Sequence, residues 1–276
     1  MKFAICNETF VDWPHEKAFG FARDCGYTGI EIAPFTLAPD AKQIDRQTRT
    51  RIRRLADDTD LEIVGLHWLL AKTTGYYLTS PDPQTRRRTA EYLGELARLC
   101  HDLGGRVLVF GSPQQRNLLP GVTPEQALDY ASEVFREAIC TLEDLEVTLA
   151  VEPLGPAEGD FLNHAADGVE LVERVGSPNC RLHLDVKATS SEGPPVADII
   201  RANRALLEHF HANDPNRLGP GMGEVDFLPI FAALGEIDYC GWVSVEVFDY
   251  SPGPERLARG SIEYMQACLE KLTAGG

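Results

Sequence analysis

Three carboxylates and one imidazole stand at the ends of four successive apolar runs, and together they could hold a divalent cation. Glu152 closes Thr148-Leu149-Ala150-Val151, and Asp185 closes Arg181-Leu182-His183-Leu184. His211 follows Glu208-His209-Phe210, and Glu246 follows Val243-Ser244-Val245. In a strand, alternate residues face opposite ways. With Leu149 and Val151 on one face, Thr148, Ala150 and Glu152 share the other. The same parity sets Arg181, His183 and Asp185 against Leu182 and Leu184, and His209, His211 and Asn213 against Phe210. It sets Ser244, Glu246 and Phe248 against the valines of the last run. A lone acid at a strand end is more often a loop or capping residue. A lone inward histidine is more often a hydrogen-bonded core residue, and His183 and His209, one layer lower, are read that way. Four such groups in register are harder to dismiss. Three converging carboxylates would repel and take up protons, whereas a divalent ion offsets most of their charge. Three oxygen ligands and one nitrogen suit a fairly hard ion. Mn²⁺ fits best, Mg²⁺ and Co²⁺ are the alternatives, and the absence of thiolates speaks against structural zinc.

The elements that must position these groups recur along the whole chain. Strands are predicted over Phe3–Asn7, Gly29–Pro34, Glu62–His67, Arg106–Ser112, Thr148–Pro153, Arg181–Val186, Glu208–Asp214 and Trp242–Phe248. Each is rich in Val, Ile, Leu or Phe and bounded by turn residues. Helical patterns separate them, such as Leu93, Leu96, Ala97 and Cys100 at i, i+3, i+4 and i+7. Helix starts are legible at Ser80-Pro81-Asp82-Pro83 and at Thr123-Pro124-Glu125-Gln126. Eight strand–helix units call for a parallel sheet with crossover helices, and in a chain of 276 residues they fit a closed (β/α)₈ barrel. A doubly wound open sheet is the main competitor, but no G-x-G-x-x-G or P-loop follows an early strand. No linker or composition break divides the chain, so one α/β domain over residues 1–276 is expected. In such a barrel the strands' C-terminal ends carry the active site, where the four candidate ligands stand.

Composition narrows the partners. Lys+Arg 26 against Asp+Glu 42 gives a net charge of −16, which repels a phosphate backbone and makes nucleic acid a poor partner. The basic stretches Arg46 to Arg54 and Arg86-Arg87-Arg88 fall on predicted surface helices. No apolar run is long enough for a membrane span. The opening strand breaks at Asn7-Glu8, too early for a signal-peptide core, so a cytoplasmic location is expected. The seven cysteines are scattered, odd in number and never in a C-x-x-C pair, so they form no disulfide framework. Most are read as small apolar core residues.

Taken together, Val151-Glu152-Pro153, Leu184-Asp185-Val186, His209-Phe210-His211 with Asn216-Arg217, Pro220-Gly221-Met222-Gly223 and Val245-Glu246-Val247-Phe248 resemble a known family. They are similar to the sugar isomerase/epimerase superfamily of xylose isomerase-like TIM barrels, and most to ketose 3-epimerases of the tagatose/psicose type. The resemblance implies a small-molecule ketose or keto-sugar substrate held on one metal ion. Its reaction is proton abstraction beside the carbonyl through a metal-stabilised enediolate. Glu152 and Glu246 would remove the proton from one face and return it from the other, while Asp185 and His211 would be ligands alone. A homo-oligomer, dimer or tetramer, is the family's habit. The resemblance also gives Glu158 and Arg217 as substrate-binding residues, with a solvated loop acid and a surface ion-pair partner as the plain alternatives. One position departs from the pattern. The epimerases carry a histidine three residues after the metal-binding aspartate, and here that residue is Ala188, which cannot donate from its side chain. Lys187 or His67 would have to supply the donor, or the reaction differs. That keeps open a metal-dependent dehydratase or lyase on a keto-sugar or keto-cyclitol, of the inosose dehydratase kind. An endonuclease IV-like phosphodiesterase is the remote alternative, since it needs more histidines spread over more strands. Strand-end position alone adds Asn7, Glu8, His67 and Trp68 as pocket candidates, with Trp13 and Phe248 as an apolar wall for a sugar's C–H face.

Overall fold

Eight short strands pair in parallel and in chain order, and the last pairs with the first, so the sheet closes on itself. They are β1 Lys2–Cys6, β2 Gly29–Ile32, β3 Glu62–Leu66, β4 Val107–Phe110, β5 Thr148–Val151, β6 Cys180–Asp185, β7 Leu207–Ala212 and β8 Trp242–Val245. The structure is a computed structural model describing residues 1–274. Around the strands lie helices α1 His15–Cys25, α2 Arg46–Asp58, α3 Pro83–Leu103, α4 Pro124–Asp144, α5 Ala165–Val175, α6 Val186–Thr189, α7 Val196–Ala202, α8 Leu228–Glu236 and α9 Pro254–Ala274. This is the (β/α)₈ barrel expected from the strand–helix repeats, and the open-sheet alternative falls with the β1–β8 pairing. Among the described residues no helix is long and apolar enough to cross a membrane.

Parity decides which side chains look in. Leu149, Val151, Phe210, Val243 and Val245 face outward and join the main core beneath the helices. Val107, Val109 and Ala150 form a separate small cluster inside the barrel. Gly65 lets β3 approach β4, because any Cβ there would collide with the carbonyl oxygen of Val107. The helix starts follow the sequence signals. Thr123 and Gln126 form a reciprocal capping box on α4, and Asp82 caps α3, contacts worth about 1 kcal/mol each. Cys6, Cys100, Cys180 and Cys268 are buried, while Cys140 and Cys240 are exposed. Arg86, expected on a solvated face, is instead buried against Ser80 and Glu133.

The observed strands stop one to three residues short of the predicted C-terminal ends. Residues there keep the alternation, but the chain leaves the ladder as the barrel opens. Glu152 and Glu246 sit one residue beyond β5 and β8. Each is still held by its backbone N–H, to the carbonyl of Phe110 at 3.1 Å and of Ala212 at 3.4 Å. They are therefore fixed like strand residues while facing the mouth.

Candidate metal centre

Glu152, Asp185, His211 and Glu246 are all buried, and each offers a ligand atom within 4.8 Å of those of the other three. The register explains the convergence. Asp185 lies opposite His211, and His211 opposite Ser244, two residues before Glu246. Asp185 is the capping residue of α6, and its Oδ1 accepts the N–H of Ala188 at 2.8 Å. Its Oδ2 accepts from the Asn213 side chain. The Asn213 Oδ1 in turn accepts the Lys187 N–H at 2.8 Å. Glu152 needs the space left by Gly111, because a Cβ there would overlap its Oε2.

His211 is oriented from below by Glu31, whose carboxylate lies 3.1 Å from Nε2. Nδ1 then faces the cluster, 3.1 Å from Glu246 Oε2. A carboxylate behind a histidine fixes its ring and tautomer, as is usual for metal-binding imidazoles. Glu31 also takes His209 Nε2 at 2.8 Å, so His209 is the hydrogen-bonded core residue expected. His183 is not. Neither of its ring nitrogens finds a hydrogen-bond partner among the described residues. Its ring packs edge-on to His211 at 4.3 Å, and burial beside the other histidines holds its pKa well below the ordinary value, which keeps it neutral.

The charges show what the cluster lacks. Burial, with Glu246 and Asp185 close by, pushes the Glu152 carboxyl well above the usual range. Asp185 is raised to about 6, mainly by burial, with Lys187 opposing the shift and Glu246 adding to it. Glu246 goes the other way. Burial raises it, but the neighbouring charge and hydrogen bond of His211 outweigh that and hold it below its ordinary value. Without a cation the cluster must keep protons that a bound divalent ion would displace. The donor set therefore fits such an ion.

Above the cluster is a cavity of about 620 Å³ lined by His67, Trp68, Glu158, Lys187, Arg217 and Phe248, with Glu152 and Glu246 at its floor. Trp68 donates from Nε1 to Glu246 Oε1 at 2.9 Å. Trp68, Ser112 and Arg217 all have positive φ, at 53°, 40° and 75°. Three non-glycine residues in that region around one cavity store strain where positioning matters. Glu158 is paired with Lys187 Nζ at 2.5 Å rather than solvated, and that Nζ also lies 4.7 Å from the centre of the Phe248 ring. Arg217 is exposed at the rim and donates to the Phe248 carbonyl at 2.9 Å. His67 binds Glu8 Oε2 through Nε2 at 2.7 Å. Asn7 and Trp13 line a neighbouring cavity instead. The Asn7 amide is used internally, accepting from Ala33 N–H and donating to Thr36.

Two important residues were not singled out from sequence. Glu31 carries the same signal as the four candidate ligands, an acid between outward isoleucines in Gly29-Ile30-Glu31-Ile32, but in mid-strand rather than at the end. Arg116 lies in the loop after β4 and is 1% exposed. It donates to the carbonyls of Glu152 at 2.5 Å and Leu162 at 3.1 Å. No periodicity marks it.

With fold and site in place, the chain belongs to the xylose isomerase-like TIM barrel family, whose sequence model matches residues 19–268. A probable ketose 3-epimerase of Synechocystis sp. is 27% identical over 247 residues, 89% of this chain and 82% of that protein. A D-psicose 3-epimerase of Agrobacterium fabrum is 39% identical over 105 residues, but that stretch spans only 38% of this chain and 36% of the relative. Among solved structures, a D-psicose 3-epimerase with D-tagatose from Clostridium cellulolyticum H10 superposes with a TM-score of 0.84 at 20% identity, covering 98% of this chain and 99% of that one.

Proposed function

We propose that this protein is a metal-dependent sugar epimerase or isomerase that moves a proton on and off the carbon beside a ketose carbonyl. The convergence of Glu152, Asp185, His211 and Glu246 at the barrel mouth carries this reading, and the similarity to ketose 3-epimerases supports it. A divalent ion, Mn²⁺ by preference, would be held by these four residues. When bound it supplies Lewis-acid stabilisation of negative charge on the substrate oxygen.

The chain's own groups do the rest. Glu152 and Glu246 rise from β5 and β8, three strands apart, and so approach a bound sugar from different sides. One takes the proton from the carbon, and the C–H electron pair passes toward the carbonyl oxygen. The other returns a proton to the opposite face, inverting the centre. Trp68 fixes Glu246 by its indole N–H, and Asn213 with the Ala188 N–H fixes Asp185. Phe248 offers an apolar ring face for the sugar's C–H face.

The test is to incubate ketoses with the Mn²⁺-loaded protein in D₂O and follow products by NMR. A stereoisomer carrying deuterium at one carbon is expected. An unsaturated product that has lost water would instead establish the dehydratase reading. Metal at about 100 times its Kd adds about 2.7 kcal/mol of stability, a rise of about 5–10 °C in Tm for a chain of this size. Chelation should reverse both the rise and the exchange, and Asp185→Asn should show neither.

Lys187 fills the role left open by Ala188. Its ammonium is in the cavity, and Glu158 aims it there. A donor placed where oxyanion charge develops contributes about 10²–10³ in rate. Lys187→Met is therefore expected to lower kcat/KM by about that factor, with Lys187→Arg recovering part of it. Unchanged kcat in Lys187→Met would remove Lys187 from the reaction.

A further inference from the structure

A second cavity of about 740 Å³ opens beside the first and shares Trp68, Ser112 and Pro113 with it. Either cavity alone lies within the roughly 300–1,000 Å³ that encloses a drug-sized ligand, so a free six-carbon sugar at the metal centre would leave the second space empty. Its walls are of two kinds. Aromatic side chains come from Phe10, Trp13, Phe35 and Tyr250, with the ammoniums of Lys17 and Lys72 3.3 and 4.0 Å from the centres of the Trp13 and Phe35 rings, and hydrogen-bonding side chains from Asp12 and Gln114. Phe10 and Trp13 are 5.7 Å apart and tilted, and Phe35 meets Trp68 edge-on at 6.1 Å. Aromatic faces with polar groups at their rim suit a sugar ring, which has apolar C–H faces and a hydroxylated edge.

The junction between the cavities holds an unused acceptor. Glu8 is 6% exposed and lines the second cavity. His67 holds its Oε2 at 2.7 Å, while its buried Oε1 has no partner among the described residues. Glu8, His67 and Glu246 present ligand atoms within 4.8 Å of one another, so the Glu8 carboxylate lies beside the four-residue cluster. A buried carboxylate oxygen left without a donor is costly unless something supplies one.

We propose that the second cavity is a glycosyl subsite and that the substrate is a ketose carrying a second sugar ring at the end remote from its carbonyl. The ketose portion occupies the metal cavity, a hydroxyl near the linkage donates to Glu8 Oε1, and the outer ring packs against Trp13 and Phe10. This rests on the ketose reading above, and the test separates the two. Fructose and 6-O-glucosyl-fructose are compared with the Mn²⁺-loaded protein, with turnover read as deuterium uptake and binding as saturation-transfer NMR on the glucosyl protons.

The expected result is kcat/KM at least about tenfold higher for the glucosylated ketose, since contacts remote from the reacting carbon supply binding energy for catalysis. Saturation should reach the glucosyl ring. Ala71→Trp, which fills the second cavity, should remove both effects and leave fructose turnover unchanged. Gln114→Trp, at an exposed wall position, repeats the test if the first variant folds poorly. Equal turnover of both sugars with no glucosyl contact overturns the subsite and leaves the ketose reading standing. Glucosyl contact that either filling variant removes, without exchange on any sugar, upholds the subsite and overturns the reaction. Loss of both signals overturns both.

Discussion

Glu246→Gln is expected to lower turnover of a ketose by about 10²–10⁴-fold, the contribution of a positioned acid–base group, while the barrel stays folded. Glutamine keeps an oxygen that can accept from Trp68 Nε1, now 2.9 Å from Glu246 Oε1. It also keeps the shape of the side chain that faces His211 Nδ1. What it loses is the ability to take a proton. The loss should fall on kcat at saturating Mn²⁺, because the amide oxygen remains a weaker ligand. Deuterium exchange into unreacted substrate separates two cases. If Glu246 removes the proton from the substrate form supplied, exchange and product formation fall together. If Glu152 removes it and Glu246 only returns one, exchange with solvent survives while inversion stops. Unchanged turnover would falsify the assignment of Glu246 to proton transfer.

The fold and the convergence of four candidate ligands are legible in the sequence for one shared reason. A closed parallel barrel makes strand parity and strand end the two coordinates of its active site, and both can be counted along a sequence. Hence Glu152, Asp185, His211 and Glu246 were found together, and the eight strands were found with ends only slightly too long. What escaped depends on contacts between distant segments. Glu31 is 180 residues from His211, and nothing in Gly29-Ile30-Glu31-Ile32 says which imidazole it will meet. Glu158 and Lys187 are 29 residues apart, so their pairing gave no local pattern, although both were already pocket candidates. The expectation for His183 failed because inward parity says where a ring points and nothing about whether a partner awaits it.

Arg116 shows how the site depends on the fold through a residue that never reaches the cavity. Burial lowers its pKa to about 10, against the opposing pull of Glu152 and Glu158, so it stays charged at neutral pH. Its guanidinium ties the carbonyl of Glu152, at the end of β5, to that of Leu162, across the loop carrying Glu158. Arg116→Met would fill much of the volume but leave the Glu152 carbonyl without its donor, while the Leu162 carbonyl keeps the N–H of Leu154 at 2.9 Å. At about 1–3 kcal/mol for one unmet group, a loss of about 2 kcal/mol is expected, a drop of about 4–8 °C in Tm at this chain length. The same change frees the backbone beneath Glu152, a proposed metal ligand, so the variant should need more Mn²⁺ for half-maximal stabilisation. Arg116→Lys, with one compact donor group, should recover part of the stability and less of the metal affinity, because a lysine cannot span both carbonyls in one plane. A variant melting with the parent, and binding metal as tightly, would show that water replaces the guanidinium at no cost and that Glu152 is held by its strand alone.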